Sequence, residues 1–526
     1  MAGQNNKEQM KATKKVSPVN LSRKLEDNLK NIKDILGESS DIIIREMKIS
    51  SNANVDAAVI YIDGLVDRDL VSRDILQPLM FNLQFIKDKV GQKNSSLLGC
   101  IKSSVLTVGQ VETTENIDSI ISSVMTGQTA MLAEGSIQAL VIDTKGWEKR
   151  AIESPENEIS IRGPKDSFTE TLRINTALLR RKIRDPNLSL VSMQIGQRSK
   201  TDVVIAYIKG ITPDNLIEEI KQRLKRIDTD AILDIGYIEQ YIEENPLSLV
   251  PTVGTSERPD VVTARMLEGR AAILVDGSPM ALTVPFLFVE GFQNPDDYYA
   301  RPFFASFVRI IRLLGFLLSI YLPGIYVALK SFHPELFPTP LLITVAAARE
   351  GHPFPVVLEA LLMLILFEIL REAGLRLPRS LGQAVSIVGA LVIGQAAVSA
   401  GLVGAPMVIV VAATAIASFM VVPFADTGAL FRLIMTIVAG FLGLFGMIII
   451  SLEVLSHLAA LRSLGVPYLS PVTPLNTSDL IKDTWLRAPL WALGSRPAFL
   501  DPLDKKRQSP DQKPHPPQNN PNERKS

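Results

Sequence analysis

The stretch from Ser380 to Ala425 contains no aspartate, glutamate, lysine or arginine. A membrane-spanning helix needs roughly 20 consecutive apolar residues, and this charge-free run is long enough for two. Ahead of Asp297, by contrast, charged residues are frequent along the whole chain. The sequence therefore predicts an α/β soluble N-terminal region followed by an α-helical polytopic membrane domain.

Size and charge exclude several classes of protein. The chain has 526 residues, too many for one compact core, and its 55 basic residues are balanced by 55 acidic ones. This balance argues against binding of nucleic acid through a general basic field. The N-terminus is polar and rich in lysine, without the apolar core of a signal peptide, so we expect the front region to stay in the cytoplasm. Cys100 is the single cysteine and the four histidines are scattered, so no metal or cofactor is expected.

The soluble region contains an internal repeat. "AAVIYIDGLVDRDLV" from Ala57 and "VVIAYIKGITPDNLI" from Val203 share a β-branched run, a glycine and the start of a helical pattern. "VMTGQTAMLAEGS" from Val124 and "MLEGRAAILVDGS" from Met266 form a second matched pair. The matched positions are roughly 145 residues apart, far more than the period of a solenoid. These pairs predict two similar tandem α/β subdomains.

A basic helix is predicted between the two repeats, in "IRGPKDSFTETLRINTALLRRKIRDPNL" from Ile161. Its arginines and lysine favour a solvated or inter-subunit face over an anion or partner site. Four carboxylates stand at strand ends, where catalytic acids occur but turn-forming acids are far commoner: Asp63, Glu134, Asp143 and Asp276. No nucleotide loop, nucleophile elbow or zinc motif is present, so we do not expect an enzyme.

The membrane region should begin at an interfacial entry. Leu313–Leu329 is the first apolar span, with Pro323 and Gly324 predicting a kink. Aromatic and basic side chains precede it and are candidate interfacial anchors, with rings at headgroup depth and arginines on the cytoplasmic side: Tyr298, Tyr299, Arg301, Arg309 and Arg312.

The next apolar segment, 356–370, is short and carries Glu359 within it. Carboxylates at hydrocarbon depth are costly, and they usually face protein or water. Helical spacing predicts that Glu368 pairs with Arg371 and that Glu372 pairs with Arg376. These four charges are candidates for a pore mouth, or alternatively for an anchor at the membrane interface.

Two further spans share the charge-free stretch and meet near Gly401. On the earlier one, small and weakly polar residues fall on one stripe at helical spacing and are the candidate pore lining: Gln383, Ser386, Ala390, Gly394 and Ala397. Such a stripe equally lets two helices pack closely, and the sequence leaves both interpretations open. The later of these spans is predicted at 407–424.

The last span is predicted from about Leu433 to Leu461, with a break in "GFLGLFG". If 356–370 crosses, Arg371 and Arg376 lie inside as the positive-inside rule prefers, but an odd count puts the C-terminus outside. If it does not cross, these arginines face out. Residues 501–526, rich in proline, lysine and asparagine, are predicted to be disordered.

Six blocks in sequence order resemble the A-subunit family of bacterial spore germination receptors, the GerA family: "RGPKDSF", "ERPDVVTARMLEGRAAILVDGSP", "NPDDYYAR", "PTPLLITVAAAREGHPFP", "FEILREAGLRLPRSLGQAVSIVGALVIGQAAV" and "LGVPYLSP". Similarity runs from about Ile161 to Ser470. The family pattern often has a second glutamate where this chain has Leu364. Without it this helix lacks a continuous row of acidic residues, which favours the small-residue stripe as the pore lining.

The resemblance implies a spore inner-membrane protein with a cytoplasmic N-terminal domain. It also implies a homo-oligomer, a pentamer, that acts as a nutrient-gated cation channel in membrane lipid with a transporter-like B subunit and a lipoprotein C subunit. The rival hypothesis is a non-conducting scaffold or accessory paralogue; a secondary transporter is a third. The predicted boundaries are 1–40 (polar tail and lead-in helix), 41–160 and 161–297 (α/β subdomains), 298–462 (four or five membrane helices) and 463–526 (polar tail).

Overall fold

The computed structural model describes residues 20–49, 55–81, 97–146, 155, 158–347, 352–376, 392, 394–510 and 512–514. Two antiparallel five-stranded sheets come first in the chain and a bundle of apolar helices follows. Residues 461–510, hereafter the C-terminal segment, follow the bundle and pack against the second sheet. The fold class predicted from the sequence is therefore confirmed.

The first sheet has the strand order β1-β2-β4-β5-β3. Its strands are β1 Ile42–Ile49, β2 Val55–Ile62, β3 Val111–Thr114, β4 Thr129–Ala133 and β5 Ala139–Ile142. The helices packed on it are α1 Leu25–Leu36, α2 Leu97–Ser104 and α3 Ile117–Met125, together with the turns Arg68–Leu70, Val71–Leu76 and Gln77–Phe81, of which the middle one is π-helical. β4 and β5 are buried on both faces, as their continuous apolar runs require.

The second sheet repeats this topology with the order β6-β7-β9-β10-β8. Its strands are β6 Leu188–Ile195, β7 Thr201–Ile208, β8 Gly254–Ser256, β9 Ala271–Val275 and β10 Ala281–Val284. Its helices are α4 Leu172–Lys182, α5 Asp214–Lys225, α6 Ile235–Ile242 and α7 Pro259–Leu267. The predicted tandem repeat is confirmed, because corresponding strands occupy corresponding positions in both sheets.

The repeat also includes α1 and α4. In the first subdomain the Asn28 amide accepts from the Ser22 N–H at 2.8 Å and donates to the Ser22 carbonyl at 2.6 Å. In the second, the Asn175 amide makes the same two bonds with Thr169, again at 2.8 and 2.6 Å. The predicted linking helix is thus the opening helix of the second repeat.

Carboxylates at the strand ends serve this framework. The Glu134 carboxylate accepts from the Leu25 N–H at 2.6 Å, and the Asp276 carboxylate accepts from the Leu172 N–H at 3.1 Å. Each thereby satisfies a free N–H at a helix start. Asp63 is 3% exposed and lies between the guanidinium groups of Arg68 and Arg173. These contacts support the structural interpretation of the strand-end acids.

Basic side chains of helix α4 form ion pairs with carboxylates of the same chain. The Arg180 guanidinium is 1% exposed, and its Nε lies 2.7 Å from the Asp41 carboxylate of the first subdomain. Lys182 Nζ lies 2.9 Å from Asp166. A buried ion pair of this kind fixes how two elements dock, because removing one partner leaves an uncompensated charge. Arg180 therefore joins the two repeats, whereas Lys182 pairs within the second one.

The apolar bundle contains α8 Pro302–Phe332, α9 Thr339–Ala347, α10 Val356–Arg376, α11 Ala405–Ser418 and α12 Ala425–Ala460. Within the described residues, Pro302–Phe332 and Val422–Ala460 are helices long and apolar enough to cross a membrane. The prediction of one span over 407–424 is wrong in length, since α11 ends at Ser418 and a 3₁₀ turn Val422–Phe424 follows. Pro423 lies inside this 3₁₀ turn, at a position near a helix start where its missing N–H costs little.

Helix α12 is two antiparallel limbs, 425–442 and 444–460, that meet at Gly443. Gly443 has φ 61° and ψ −149°, so the predicted break in "GFLGLFG" is confirmed. A straight helix of this length would be roughly 50 Å long. Both ends nevertheless reach neighbouring residues of the α/β region: the Thr427 hydroxyl donates to the Leu249 carbonyl, and His457 Nε2 lies 3.1 Å from Ser248 Oγ. The chain therefore reverses direction at Gly443.

Helix α8 continues through Pro323 and packs between the two limbs. A Cβ on Gly324 would lie 2.9 Å from Met447 of one limb and 3.2 Å from the Met435 carbonyl oxygen of the other. Phe332, at the end of α8, lies against Gly443. The limbs therefore run alongside α8 to its far end and return.

The C-terminal segment packs on the second subdomain. β11 Arg462–Ser463 and β12 Val466–Pro467 form a short hairpin, and the Phe288 N–H donates to the Tyr468 carbonyl at 3.0 Å. Further on, the Leu503 N–H donates to the Ile211 carbonyl at 2.9 Å. The prediction of disorder is thus wrong for 501–510, whereas 515–526 lie outside the described residues. The segment and the α/β region lie at the same end of the bundle, hereafter the near end.

Candidate functional site: two charge clusters of the helix bundle

The helical charge cluster consists of Glu368 and Arg371 on α10 and Asp426 and Arg432 on α12. Arg371 Nε lies 2.9 Å from the Glu368 carboxylate, which also accepts from Arg432 Nη2. Arg371 Nη2 lies 3.5 Å from Asp426. The predicted Glu368–Arg371 pair is confirmed, and one carboxylate is shared between two guanidinium groups.

Burial decides which of these contacts matter. Arg432 is 1% exposed, and its guanidinium also lies over the Phe367 ring at 5.7 Å from the centroid. Asp426 is almost fully exposed, so its attraction to Arg371 is screened by water. Within the described residues, Nε and Nη1 of Arg432 have no hydrogen-bond partner. Glu368 is therefore the group that compensates the buried charge of Arg432.

The second predicted pair on α10 lies at the surface. Arg376 Nη2 is 2.6 Å from Glu372, which confirms the predicted spacing, but both side chains are more than half exposed. Closer to the start of α10, Glu359 is 1% exposed, and neither carboxylate oxygen has a hydrogen-bond partner among the described residues. Glu359 is thus enclosed in the bundle, Glu368 is part-buried with a side chain 22% exposed, and the exposed pair lies at the near end of α10.

Part of the candidate pore lining can be placed. Gln383, Ser386 and Ala390 lie outside the described residues. Gly394 is buried, and a Cβ there would lie 3.6 Å from Val408 of α11, while Ala397 is 9% exposed in the core shared with Met407. These two members of the stripe pack inside one chain. A pore lined by the others stays a prediction.

The junction cluster joins α8 to the residues before it and to the C-terminal segment. Asp297 is 3% exposed and lies 2.9 Å from Arg309 Nε and 2.8 Å from Arg312 Nη2. Arg309 also contacts the Asp483 carboxylate at 3.2 Å, and the Tyr298 hydroxyl donates to the same carboxylate at 3.0 Å. Three of the five candidate interfacial anchors are thus held inside the protein.

The other two candidate anchors, Tyr299 and Arg301, are exposed. The Tyr299 hydroxyl donates to Asp260 at 2.8 Å, although the side chain is 38% exposed. Arg301 is exposed at the start of α8. Contact of these side chains with lipid headgroups stays a prediction.

The two carboxylates of the junction cluster have opposite pKa shifts. Burial raises the pKa of Asp297, but hydrogen bonds and charge from Arg312 and Arg309 outweigh it and hold that pKa below the ordinary value. Burial raises the pKa of Asp483 to about 6, against the opposing charge of Arg309. Asp297 is therefore a fixed negative charge, whereas Asp483 has a pKa of about 6 and titrates in the mildly acidic range.

Docking of the C-terminal segment is expected to weaken as pH rises from 4 to 6. The pKa of Asp483 is raised from 3.8 to about 6, so its stabilising contribution is present below pH 4 and is lost as pH rises through 6. We expect about 1–2 kcal/mol, allowing for partial solvent screening. Hydrogen-exchange protection of residues 480–487 measures the effect. Asp483→Asn should remove this pH dependence, and protection that does not change with pH in the native chain would contradict the assignment.

Sequence reasoning missed Arg432, Asp483 and the role of the C-terminal segment. Arg432 is 64 residues from Glu368 along the chain, and Asp483 is 174 from Arg309. A lone arginine inside an apolar span is the signal that could have drawn attention to Arg432, because such a residue is rare in a membrane helix without a partner. No local pattern could have identified Asp483.

Two α/β repeats clamped to an apolar helix bundle with buried ion pairs form the architecture of a membrane-associated protein. The chain belongs to the family described as the Bacillus/Clostridium GerA spore germination protein, whose model matches residues 30–499. The resemblance inferred from the six sequence blocks is confirmed.

Two relatives in sequence agree with this assignment. The chain is 45% identical to spore germination protein KA of Bacillus subtilis (strain 168), over 95% of this chain and 91% of that protein. It is 39% identical to the uncharacterized membrane protein YfkQ of the same organism, over 91% of each. It is also similar to the crystal structure of the N-terminal domain of the A subunit of the Bacillus megaterium spore germinant receptor GerK3, with 39% identity, a TM-score of 0.41, and coverage of 52% of this chain and 98% of that one.

The chain therefore belongs to the germinant receptor A-subunit family, which is not a known enzyme family. The relatives and the apolar helices together indicate a membrane location.

Proposed function

We propose that the chain is the A subunit of a nutrient-gated receptor that forms a pentameric cation channel in the spore inner membrane. Family membership supports the receptor role, and the apolar bundle supports insertion in lipid. The transporter-like B subunit would bind the nutrient, and the lipoprotein C subunit would complete the receptor. The observation that carries the channel proposal is the ion pair between Glu368 of α10 and the buried Arg432 of α12.

The arrangement of the helices supports an even number of crossings. α8 leads away from the near end, and α10 leads back, because Val357 lies against Gly440 and Arg371 lies against Asp426. The chain would cross again before residue 401 and return through α11, and the two limbs of α12 would add two more crossings. With six crossings, both termini and Arg371 lie in the cytoplasm, as the positive-inside rule prefers.

The two clusters suggest how a signal would reach the pore. A displacement of the second subdomain or the C-terminal segment acts on α8 through Asp297 and Asp483. α8 packs between the limbs of α12, whose first limb holds α10 through the Arg432–Glu368 pair. Because a buried ion pair must break or move as a unit, this contact favours two discrete arrangements. In the open one, a pore lined by Gln383, Ser386 and Ala390 around the symmetry axis would hydrate.

Replacing Ala390 with aspartate is expected to make the oligomer leak monovalent cations without nutrient. A carboxylate in a narrow apolar constriction draws in water and cations, so we expect flux from proteoliposomes to rise at least about tenfold. Val392→Asp is the matched control, because Val392 falls on the other side of the same helix and is 55% exposed. Potassium release measured with an ion-selective dye reports both variants.

The outcomes separate the two functions. Equal cation retention by Ala390→Asp and the native chain would reject this pore lining. Absence of any current from the receptor assembled with its partner subunits, with and without nutrient, would favour the non-conducting scaffold.

A further inference from the structure

A β-turn on the second subdomain presents a leucine at its tip. The Ser248 N–H donates to the Asn245 carbonyl at 2.9 Å, which closes the turn and puts Pro246 and Leu247 at its central positions. Leu247 is 96% exposed. Turn tips in water favour polar residues, glycine and proline, since these satisfy or shape the backbone. An apolar tip alone decides nothing, because single exposed leucines are common.

The position of the turn supplies the second observation. Ser248 Oγ lies 3.1 Å from His457 Nε2, at the end of the second limb of α12. The carbonyl of Leu249 accepts from the Thr427 hydroxyl, at the start of the first limb. The turn therefore lies level with the near end of both limbs, where the apolar bundle begins.

The apolar outer surface of the bundle starts within one helical turn of these contacts. Leu430 is three residues beyond Thr427 and 48% exposed, and Leu455 is two residues before His457 and 55% exposed. At 1.5 Å per residue these steps are roughly 3–5 Å along the axis. The polar headgroup layer is roughly 5–8 Å thick on each side, so Leu247 lies at headgroup depth if the limbs span the hydrocarbon.

Burial and hydrogen bonds fix the backbone that follows the turn. Val250 is 4% exposed, and its N–H donates to Ser248 Oγ at 3.2 Å. Thr252 donates from its N–H and its hydroxyl to the Glu243 carboxylate, at 3.0 and 3.1 Å. Because the backbone is already ordered, insertion of the tip costs little further conformational entropy.

We infer that the 245–248 turn is a membrane-contact site that seats Leu247 in the near leaflet. The ligand is the lipid bilayer surface: the leucine side chain reaches the boundary between headgroups and acyl chains, and Pro246 lies beside it. The inference rests on the proposed function, because it requires the limbs of α12 to span. It adds a third attachment between the α/β region and the membrane, besides α8 and the C-terminal segment.

Single-cysteine labelling tests the contact in the full chain. Cys100 is replaced by serine, and a polarity-sensitive fluorophore is attached in turn at Leu247→Cys, Ile137→Cys and Leu442→Cys. Ile137 is an exposed residue of the first subdomain, and Leu442 is exposed at the far end of a limb. Each protein is placed in nanodiscs of phosphatidylethanolamine and phosphatidylglycerol, with and without lipid carrying a shallow doxyl quencher. Pro246→Cys provides a second probe of the turn.

The expected result is roughly twofold quenching at Leu247, and none at Ile137, since a doxyl group acts only at contact range within the leaflet. Quenching at Leu442 by the shallow doxyl lipid of the far leaflet, but none at either turn position, would overturn the inference and leave the proposed membrane topology standing. A turn probe in an apolar environment that lipid quenchers do not reach would assign the turn to contact with a second protein surface. No quenching at Leu442 would reject the membrane placement itself.

Discussion

Replacing Glu368 with alanine is expected to lower the free energy of unfolding by about 3–5 kcal/mol. The substitution removes the carboxylate shared by Arg371 and Arg432 and leaves the Arg432 guanidinium buried at 1% exposure with no opposite charge in contact. Desolvating an unpaired charge is among the most costly changes in a protein interior. The measurement is unfolding in mixed micelles by titration with a denaturing detergent, followed by circular dichroism.

Two further variants show whether this loss of stability comes from the unpaired charge or from lost packing. Glu372→Ala removes a carboxylate from the same helix, but its pair with Arg376 is exposed, so a change below about 1 kcal/mol is expected. Glu368→Leu combined with Arg432→Leu removes the buried charge of Arg432 together with its partner and should recover most of the stability. If the double variant is as unstable as Glu368→Ala, the loss comes from packing and not from the unpaired charge.

The same pair of variants tests the switching role. Under the proposed function, the double variant should fold but should no longer respond normally to nutrient, because an apolar contact lacks two discrete arrangements. Normal cation release by the folded double variant would show that the Arg432–Glu368 pair is structural only.

Replacing Gly443 with alanine is expected to destabilise the chain by about 2–3 kcal/mol. Its φ of 61° and ψ of −149° lie in a region that residues with a Cβ avoid, and an added Cβ would meet the Phe332 ring at 3.1 Å. Strain and crowding both act at the point where α12 reverses. The free energy of unfolding in mixed micelles again provides the measurement.

Gly428→Ala is the matched control on the same helix. Gly428 lies within the first limb, and a Cβ there would meet nothing within 4 Å. A helical glycine replaced without a clash is expected to raise stability by up to about 1 kcal/mol. Equal effects at the two positions would contradict a reversal that depends on the special backbone conformation of Gly443.

Patterns of short range predicted much of this protein correctly. Short apolar runs indicated four of the strands, β2, β4, β7 and β9, and the matched glycines indicated the repeat, because a strand and its turn depend on neighbouring residues. The pairs Glu368–Arg371 and Glu372–Arg376 followed from helical spacing alone. The break at Gly443 was expected from the glycine cluster, but its consequence was not.

The topology could not be decided from the sequence for a physical reason. Hydropathy reports only that residues 425–460 are apolar, and a straight helix and a reversed one have the same composition. The reversal follows from contacts that Thr427 and His457 make with residues 248 and 249, far away in the chain. Under the proposed function, the reversal makes an even number of crossings compatible with cytoplasmic arginines.

The sequence by itself determined the division into a charged α/β repeat and an apolar bundle. A domain that folds in water and a domain that folds in lipid need surfaces of different composition. Tertiary structure alone decided which buried charges meet and where the C-terminal segment lies. Arg432 and Glu368, like Asp483 and Arg309, become partners only after helices and segments distant along the chain have packed. An ion pair depends on distance in space, and a linear pattern does not encode that distance.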